Sequence, residues 1–456
     1  MRAAYPVLMI LGFVINYPGR ALSDSLRMFN QGRHPSWLDD WHSPLLALLW
    51  SLPDPWLGQP AAGLLVQSLA IWVLPAALLS TAWQRLDEGR QPLLAALHLL
   101  MCCLLVLLTL HLAGYVFKDV AYLAALMLCI WAGLRLTHHS EAGTAPTKWL
   151  VLAATVLAVY LIRPTTIGLL LVVLVLWLLR SRPARWRPLL LRAVAAGLAL
   201  IVLTQLAGFI NHRLLGAKRS AVEISLTTFD VAGISVRSGR NLFEGLPAWP
   251  STMAHSVEQC YTPQWWDPFA SWGRCREYAA AMSENSRQLG RGGIVNWWLG
   301  HVAENPLAYL QHRLDFVGHL LVYRGKRDNY FPIDNAPAAL KFLQRDRADT
   351  FIAWQPSLGF ELTHASWRWM TQRFLGQPWF WLGLAVVGLM LSFRSRPHGE
   401  ADRLPAYLSF AAAIGNFAML AVLGVADSPR YMVVTLALSV VGYALLIRAR
   451  LTAESG

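Results

Sequence analysis

The chain has 456 residues, of which 55% are hydrophobic and 14% are charged, and its formal net charge is +13. This composition is too apolar for a soluble domain of that length and predicts an integral membrane protein. Nucleic-acid binding, which the positive charge alone would suggest, is disfavoured because most Lys and Arg residues lie in short connections between apolar runs.

Ten apolar runs are candidates for membrane spans, which need about 17 to 25 residues each. They lie near residues 4–17, 61–83, 92–117, 120–137, 149–162, 165–180, 189–210, 377–393, 404–425 and 431–447. The first run also resembles a cleavable signal peptide, but Pro18, Gly19 and Arg20 make a poor approach to a cleavage site, so a retained helix is favoured. We therefore predict an all-α integral membrane protein with about ten transmembrane helices.

Basic residues in the short connections divide unequally between the two membrane faces. If the N-terminus is inside and the spans alternate, fifteen fall on one face and six on the other. The larger set is Arg2, Arg85, Arg90, Arg135, Lys148, Arg180, Arg182, Arg185, Arg187, Arg192, Arg394, Arg396, Arg403, Arg448 and Arg450, and the smaller set is Arg20, Arg27, Arg33, Lys118, Arg163 and Arg430. The positive-inside rule predicts that the larger set is cytoplasmic.

This topology divides the chain into two membrane modules and two outer segments. The predicted units are a seven-span module at 1–210 that includes an outer loop at 18–60, an outer segment at 211–376, and a three-span module at 377–456. In the outer loop, "SPLLALLWSL" predicts a short juxtamembrane helix. In the outer segment, residues 305–323 predict a helix lying on the membrane with its apolar face down, because Arg313 and Asp315 near its middle disfavour a crossing.

Two of the five cysteines, Cys260 and Cys275, lie in the outer segment. An oxidising compartment would allow them to form a disulfide across a short loop, and two free cysteines are the alternative. The other three lie inside predicted spans, where they serve as small apolar residues. The sequence has no nucleotide-binding glycine motif, so a nucleotide sugar or ATP has no evident site.

Carboxylates and cations recur at the outer ends of the predicted spans. They are Arg20, Asp24, Asp39, Asp40 and His42 in the first outer loop, Lys118 and Asp119 in "FKDV", Arg163 in "IRPTT", Asp230 and Arg237 in "FDVAGISVRSGR", and Arg430 and Tyr431 in "DSPRYM". Taken singly, the arginines could reach lipid headgroups, Asp24 could lie in a surface turn, and Asp39 could cap the helix near Ser43. Their accumulation on one face favours a functional site, because ionisable groups there are costly unless they pair or react.

The mixture of carboxylates and cations suits one chemistry in particular. A carboxylate can take the proton of an acceptor hydroxyl while Arg and Lys stabilise a phosphate leaving group. We therefore predict sugar transfer from a lipid phosphate. His34 and His42 could hold a divalent metal, but a spacing of eight residues on a loop is a weak signal, and we predict no cofactor.

The first outer loop "YPGRALSDSLRMFNQG", followed by "DDWHSPLLALL", a later Lys-Asp, an Arg in an outer turn and a late Arg-Tyr, resembles the GT-C glycosyltransferases of bacteria. The resemblance implies an inner-membrane enzyme with a periplasmic active site, a polyprenyl-phosphate sugar donor, and a glycan, glycolipid, or surface or pilus protein as acceptor. It implies that the catalytic carboxylate is Asp24, with Asp39 and Asp40 as second candidates. Lys118, Arg163 and Arg430 match the cations of the donor-phosphate site.

Two rival functions and one ambiguity stay open. A flippase or transporter of lipid-linked glycans usually needs ionisable groups near the membrane midplane, where His98 and His111 are the main candidates. An O-antigen-type polymerase or ligase would share the outer arginines but use a lipid pyrophosphate donor. The outer tryptophans, Trp265, Trp266, Trp272, Trp297 and Trp298, could stack on sugar rings, although interfacial anchoring is the favoured interpretation.

Overall fold

The computed structural model describes residues 3–21, 23–89, 91–138, 145–181, 186–322, 373–393 and 400–453, and the single positions 361, 365 and 369. Within these residues the regular secondary structure is helical apart from one short parallel strand pair and two isolated β-bridges, as predicted for an all-α protein. The α-helices are α1 Ala4–Asn16, α2 Ser23–Arg33, α3 Pro44–Ser51, α4 Asp54–Leu57, α5 Ala61–Ile71, α6 Val73–Asp87, α7 Pro92–Ala113, α8 Lys118–His138, α9 Ala145–Ile162, α10 Thr166–Ser181, α11 Trp186–Phe209, α12 Glu223–Ser238, α13 Val257–Cys260, α14 Arg276–Glu304, α15 Pro306–Leu321, α16 Pro378–Phe393, α17 Glu400–Leu423 and α18 Val433–Ala453. The strands are β1 Arg20–Ala21 and β2 Tyr115–Val116.

Each of the ten predicted spans coincides with a helix, but fewer than ten of these helices meet the length needed to cross a membrane. Five are long and apolar enough, and the pair α5 and α6, bent by 41°, makes a sixth if it is counted as one span. The helices α1, α9, α10 and α16 have shorter apolar stretches of 10–17 described residues. The helices indicate a membrane protein, and ten complete spans are not shown.

The helices differ sharply in how much of their apolar surface is covered. α18 packs against α17, α16 and α7, and 89% of its 18-residue apolar stretch is buried inside the protein. In α11 only 6% of the corresponding apolar stretch is buried, and the side chains of Leu191, Leu198, Ile201 and Val202 are exposed. An exposed apolar face of this size is expected where lipid takes the place of water. α18 is therefore a central helix of the bundle, and α11 is peripheral.

The first outer loop is folded against the bundle. α2 packs on α3, and the Phe29 and Trp50 rings lie 5.3 Å apart with both side chains fully buried. Gly32 allows this close approach, because a Cβ there would lie 2.2 Å from the carbonyl oxygen of Ala47. The predicted helix after "DDWH" is thus present as α3, but it is a core helix that packs on α5 and α9. Its N-cap is Ser43, whose Oγ accepts the Leu46 N–H at 3.2 Å, so Asp39 does not cap it.

The short parallel strands fix the start of α2 beside the start of α8. Arg20 pairs with Tyr115 in the register of β1 and β2, and the Arg20 N–H donates to the Gly114 carbonyl at 2.8 Å. The Ser25 hydroxyl then donates to the Val116 carbonyl at 2.5 Å. These contacts bracket Asp24, so its backbone is held next to the residues that begin α8.

The outer segment, described as far as residue 322, packs directly on one end of the bundle. α12, α14 and α15 surround an aromatic core that also takes in Met419 and Leu420 of α17. α14 is broken at Gly290, whose φ of 68° is outside the helical range. Residues 323–360 of the predicted segment 211–376, and most of those that follow to 372, lie outside the described residues.

The predicted surface helix is present as α15, with two distinct faces. Leu307, Leu310 and Leu314 are more than half exposed, which is the apolar face predicted to meet the membrane. The opposite face buries His312 and Arg313 inside the outer segment. Of the two residues that argued against a membrane crossing, Arg313 is therefore directed into the protein, whereas Asp315 is exposed and pairs with Arg237.

Candidate functional site

Seven of the predicted site residues meet at one end of the helix bundle, and they define the candidate site: Asp24, His42, Lys118, Asp119, Arg163, Arg430 and Tyr431. They come from distant parts of the chain. α2 and α8 supply residues from their first turns, the turn after α9 supplies Arg163, and a one-turn 3-10 helix, Pro429–Met432, precedes α18. Antiparallel helices bring these ends together, as the alternation of the predicted spans requires.

Asp119 is the carboxylate that organises the arginines. Its side chain is only 3% exposed, and Oδ1 accepts a hydrogen bond from Arg163 NH1 at 2.7 Å. Its other oxygen lies 3.6 Å from Arg430 Nε. Its position in the first turn of α8 is favourable for a negative charge. Asp119 thus holds two cations near each other that would otherwise repel, and its buried position makes it a support for Arg163 and Arg430.

Aromatic rings orient the same two arginines. The Arg163 guanidinium carbon lies 5.1 Å from the centre of the Tyr431 ring and 5.5 Å from that of Tyr122. Arg430 lies 5.0 Å from the centre of the Tyr431 ring and donates to its hydroxyl at 3.1 Å. Contacts of this kind attract a cation without neutralising it. The arginines are held in place while keeping positive charge available for an anion.

Asp24 is the more accessible carboxylate of the site. Its side chain is 40% exposed, and Oδ2 lies 3.6 Å from Arg430 NH2. Burial alone would raise the pKa of Asp24, but the charges of Lys118, His42, Arg430 and Arg27 outweigh it and lower the pKa to about 2. Asp24 is therefore an ionised carboxylate at neutral pH, with cations on one side and an open approach on the other.

His42 is a neutral component of the site. Its side chain is nearly fully buried, and its Nδ1 lies 3.4 Å from Lys118 Nζ. Burial, followed by the Lys118 charge, lowers the pKa of His42 to about 3. The unprotonated ring nitrogen can accept a hydrogen bond from the Lys118 ammonium. With His42 neutral, the site contains three cations and two carboxylates and has one positive charge in excess.

Asp39 and Asp40, the second candidates for the catalytic carboxylate, have other partners. Asp39 pairs with Arg27 at 2.6 Å and accepts the backbone N–H of Trp41 at 3.1 Å. Asp40 accepts the backbone N–H and the hydroxyl of Ser220, at 2.7 Å and 2.6 Å. These contacts join the first outer loop to the start of the outer segment. They leave Asp24 as the carboxylate of this loop that lies beside the site cations.

Three other predicted residues lie in different surroundings. Arg20 donates to the Tyr115 hydroxyl at 3.1 Å, with its guanidinium over that ring. Arg237 donates to the Tyr261 hydroxyl at 2.9 Å and forms an ion pair with Asp315. Asp230 is completely buried between α12 and α15. These contacts lie outside the candidate site, and substrate binding by the three residues stays a prediction.

Asp230 belongs to a second charged cluster, which sequence reasoning did not anticipate. Its Oδ1 lies 2.5 Å from Arg313 NH2 and 3.1 Å from His312 Nε2, and Oδ2 accepts the Trp298 indole N–H at 2.9 Å. Burial lowers the pKa of His312, whose Nδ1 lies 2.9 Å from the Tyr261 hydroxyl. The available signal was the group of ionisable residues in the largely apolar run at 305–323, namely His312, Arg313, Asp315 and His319.

A disulfide and a group of metal-ligand residues lie in the outer segment. Cys260 and Cys275 form a disulfide, which is the pairing that the sequence predicted as a candidate. Among the described residues, His255, Cys275 and Glu277 place three ligand-type atoms close together, but the Cys275 sulfur is already bonded to Cys260. His34, the other histidine considered as a ligand, has its ring 4.5 Å from that of Trp37.

No protein-family model, curated protein or solved structure matches the chain. The resemblance to GT-C glycosyltransferases is therefore a hypothesis from short sequence motifs. The geometry and charge of the candidate site provide a second and separate basis for a proposal on function.

Proposed function

We propose that the protein is a membrane glycosyltransferase that moves a sugar from a polyprenyl-phosphate donor to an acceptor hydroxyl. The observation that carries the proposal is the pairing of Asp24 with Arg430 at 3.6 Å, at the end of an apolar helix bundle. Asp24 is ionised and partly exposed, and Arg430 and Lys118 of the candidate site are among the cations that act on it. A base next to a phosphate-binding site is the combination that such a transfer requires.

The three cations suit the donor's phosphate. Lys118, Arg163 and Arg430 surround the site, and the two arginines are fixed by Asp119 and Tyr431. Guanidinium groups bind phosphate through paired charge-assisted hydrogen bonds, and Lys adds a point charge. The apolar flank of the bundle, exemplified by α11, would accommodate the lipid tail while the sugar phosphate occupies the polar end.

In the proposed reaction, the acceptor hydroxyl oxygen attacks the anomeric carbon of the donor sugar. The bond from that carbon to the phosphate oxygen breaks, and its electron pair stays on the lipid phosphate, where Arg163 and Arg430 stabilise the added charge. Asp24 takes the hydroxyl proton. A single displacement of this kind inverts the anomeric centre. The donor phosphate also offsets the cations that depress the pKa of Asp24, which makes the carboxylate a stronger base once the donor is bound.

Two observations support an outer, oxidising location for the site. The disulfide between Cys260 and Cys275 lies in the segment that packs beside the candidate site. The basic residues of the short connections are more numerous at the opposite face. We place the enzyme in the bacterial inner membrane with its site facing the periplasm. The acceptor would be an envelope glycan, a glycolipid, or a surface or pilus protein.

The test is sugar transfer by purified protein in lipid nanodiscs, supplied with a radiolabelled polyprenyl-phosphate sugar and envelope extract as acceptor. Asp24→Asn keeps size and polarity but removes basicity, so transfer should fall by about a hundredfold or more while donor binding persists. Asp315→Asn, a change at a carboxylate whose side chain is 57% exposed, is the matched control and should retain activity. Full transfer by the Asp24 variant would refute the proposed base.

The same preparation separates the rival functions. A flippase would move the lipid-linked sugar across vesicle membranes without forming a new glycosidic bond. Because a flippase needs no general base, Asp24→Asn would leave this translocation intact. A polymerase or ligase would use only donors with a pyrophosphate link and a long glycan. Translocation without transfer, or dependence on a pyrophosphate donor, would replace the proposed function by the corresponding rival.

A further inference from the structure

Three tryptophans from two distant segments form a cluster beside the candidate site. The Trp41 ring lies 5.8 Å from the Trp266 ring and 6.4 Å from the Trp272 ring, and the last two are 5.8 Å apart. Trp266 is buried at the base of this cluster, whereas Trp272 is 62% exposed. Trp41 directly precedes His42 in the chain. The cluster is therefore an aromatic surface that begins one residue from the candidate site.

The segment that carries Trp266 and Trp272 is a rigid loop. The disulfide between Cys260 and Cys275 closes it at both ends. Inside it, the Cys275 N–H donates to the Pro268 carbonyl at 2.9 Å. Gly273 is required for the tight turn, because a Cβ there would lie 2.2 Å from the Asp267 carbonyl oxygen. We call residues 260–275 the disulfide loop.

The disulfide loop is also joined to the turn that leads to Arg430. The Trp266 N–H donates to the Val425 carbonyl at 2.9 Å, and the Asp427 N–H donates to the Gln264 carbonyl at 2.8 Å. On the other side, Asp39 holds Trp41 through its backbone N–H. The aromatic surface is thus fixed to two parts of the site, the residues before His42 and the residues before Arg430.

We propose that Trp41, Trp266 and Trp272 form the acceptor subsite, where a sugar ring of the acceptor glycan lies against the indoles. This inference rests on the proposed function and names the class of its second substrate. Aromatic rings bind the apolar C–H faces of sugars, and rings that are already fixed lose little conformational entropy on binding. Arg27 and Asp39, paired at the exposed edge of the first outer loop, supply polar groups for sugar hydroxyls.

The position of the cluster favours a glycan over a lipid as its occupant. Interfacial tryptophans that anchor a protein are placed at the level of the lipid headgroups, and this role does not require their rings to pack on one another. Here three rings from a disulfide-closed loop and the first outer loop converge, and the loop also carries the polar residues Gln264, Asp267 and Arg274. A rigid surface next to a base and a phosphate site is what an acceptor sugar needs to be presented to the anomeric carbon.

The test is direct glycan binding, measured by saturation-transfer NMR on the protein in lipid nanodiscs. The probe is the mixture of oligosaccharides released by mild acid from envelope glycans of the source cells. Trp272→Ala should weaken binding by about tenfold, which corresponds to about 1.4 kcal/mol for the lost aromatic contact. Trp272→Phe keeps an aromatic face and should bind more tightly than Trp272→Ala. Trp83→Ala, at an exposed tryptophan of α6, is the matched control.

The outcomes separate this inference from the proposed function. Asp24→Asn should bind the oligosaccharides normally while failing to transfer sugar. The acceptor subsite would be overturned if Trp272→Ala bound the oligosaccharides as well as the unchanged protein does. It would also be overturned if the unchanged protein did not bind them, or if Trp272→Ala were defective only in membrane association. If Trp272→Ala loses binding while Asp24→Asn transfers normally, the subsite stands and the proposed base is wrong.

Discussion

Arg313 donates a hydrogen bond from NH1 to the carbonyl oxygen of Gly424 at 2.7 Å, six residues before Arg430. Its other terminal nitrogen lies 2.5 Å from Asp230. The buried cluster of the outer segment is therefore connected to the turn that carries an arginine of the candidate site. Through this contact, the packing of α12 and α15 bears on the position of Arg430.

Asp230 is predicted to be essential for the stability of the outer segment. Asp230→Asn removes the countercharge of the buried Arg313, and breaking such a pair costs about 3–5 kcal/mol. We expect a large fall in Tm, measured by thermal unfolding in detergent. Asp315→Asn removes the partner of Arg237 at an exposed position and should shift Tm little.

A double variant distinguishes loss of charge balance from loss of packing. Asp230→Asn combined with Arg313→Met leaves no unpaired charge, so part of the lost stability should return. A double variant with a Tm as low as that of Asp230→Asn alone would contradict the role given to this pair.

Arg163 and Arg430 are predicted to bind the donor phosphate. Alanine at either position should raise the donor KM roughly ten- to hundredfold, because a hydrogen bond to a charged group contributes about 1.5–3 kcal/mol. The measurement is initial transfer rate against donor concentration. Arg287→Ala, on a side chain that is 75% exposed and paired within its own helix, should leave the donor KM unchanged. Unchanged donor KM in both site variants would indicate arginines that only reach lipid headgroups.

His42 is predicted to make stability depend on pH. Its pKa in the folded protein is about 3, below the value of about 6.5 expected for the unfolded chain. Between these values the unfolded state binds more protons, so the stability that His42 contributes is present above about pH 6.5 and falls as the pH is lowered toward 3. His42→Gln cannot take up this proton. The Tm of the unchanged protein should therefore fall more than that of His42→Gln between pH 7.5 and pH 4.5, and parallel curves would contradict the prediction.

The proposed orientation predicts which positions a membrane-impermeant thiol reagent reaches in intact cells. A cysteine at exposed Ser251, in the outer segment, should react, and one at exposed Glu88, between α6 and α7, should not. Both changes are made in a chain whose exposed Cys103 has been replaced by Ser. The reverse labelling pattern would place the candidate site at the cytoplasmic face.

The sequence predicted the helical class and that seven of the site residues would meet at one end of the bundle, because both follow from the order of apolar runs and the polar groups at their ends. It could not predict that Asp40 binds Ser220, since 180 residues separate the two and nothing in either neighbourhood specifies the contact. The sequence also could not predict which face of α15 is buried. Arg313 reads as a surface residue in sequence, and only the position of Asp230 explains its burial.

The sequence also could not predict how many of the apolar runs form complete membrane spans. Hydropathy locates an apolar run, but helix ends are set by local contacts such as the parallel pairing of Arg20 with Tyr115 and the turn at Arg163. The helices that are long and apolar enough to cross a membrane are α7, α8, α11, α17 and α18.

The central position of α18 has a consequence for biogenesis. This helix follows the other described helices in the chain, yet it fills the middle of the bundle and packs against α7, which is made much earlier. During synthesis the earlier helices are therefore inserted first, and the position of α18 among them is filled only when α18 itself is inserted. Arg430, which immediately precedes α18, arrives at the same moment. The candidate site is thus completed only when α18 joins the bundle, so on the proposed function a partly made chain would lack one of the cations that bind the lipid phosphate.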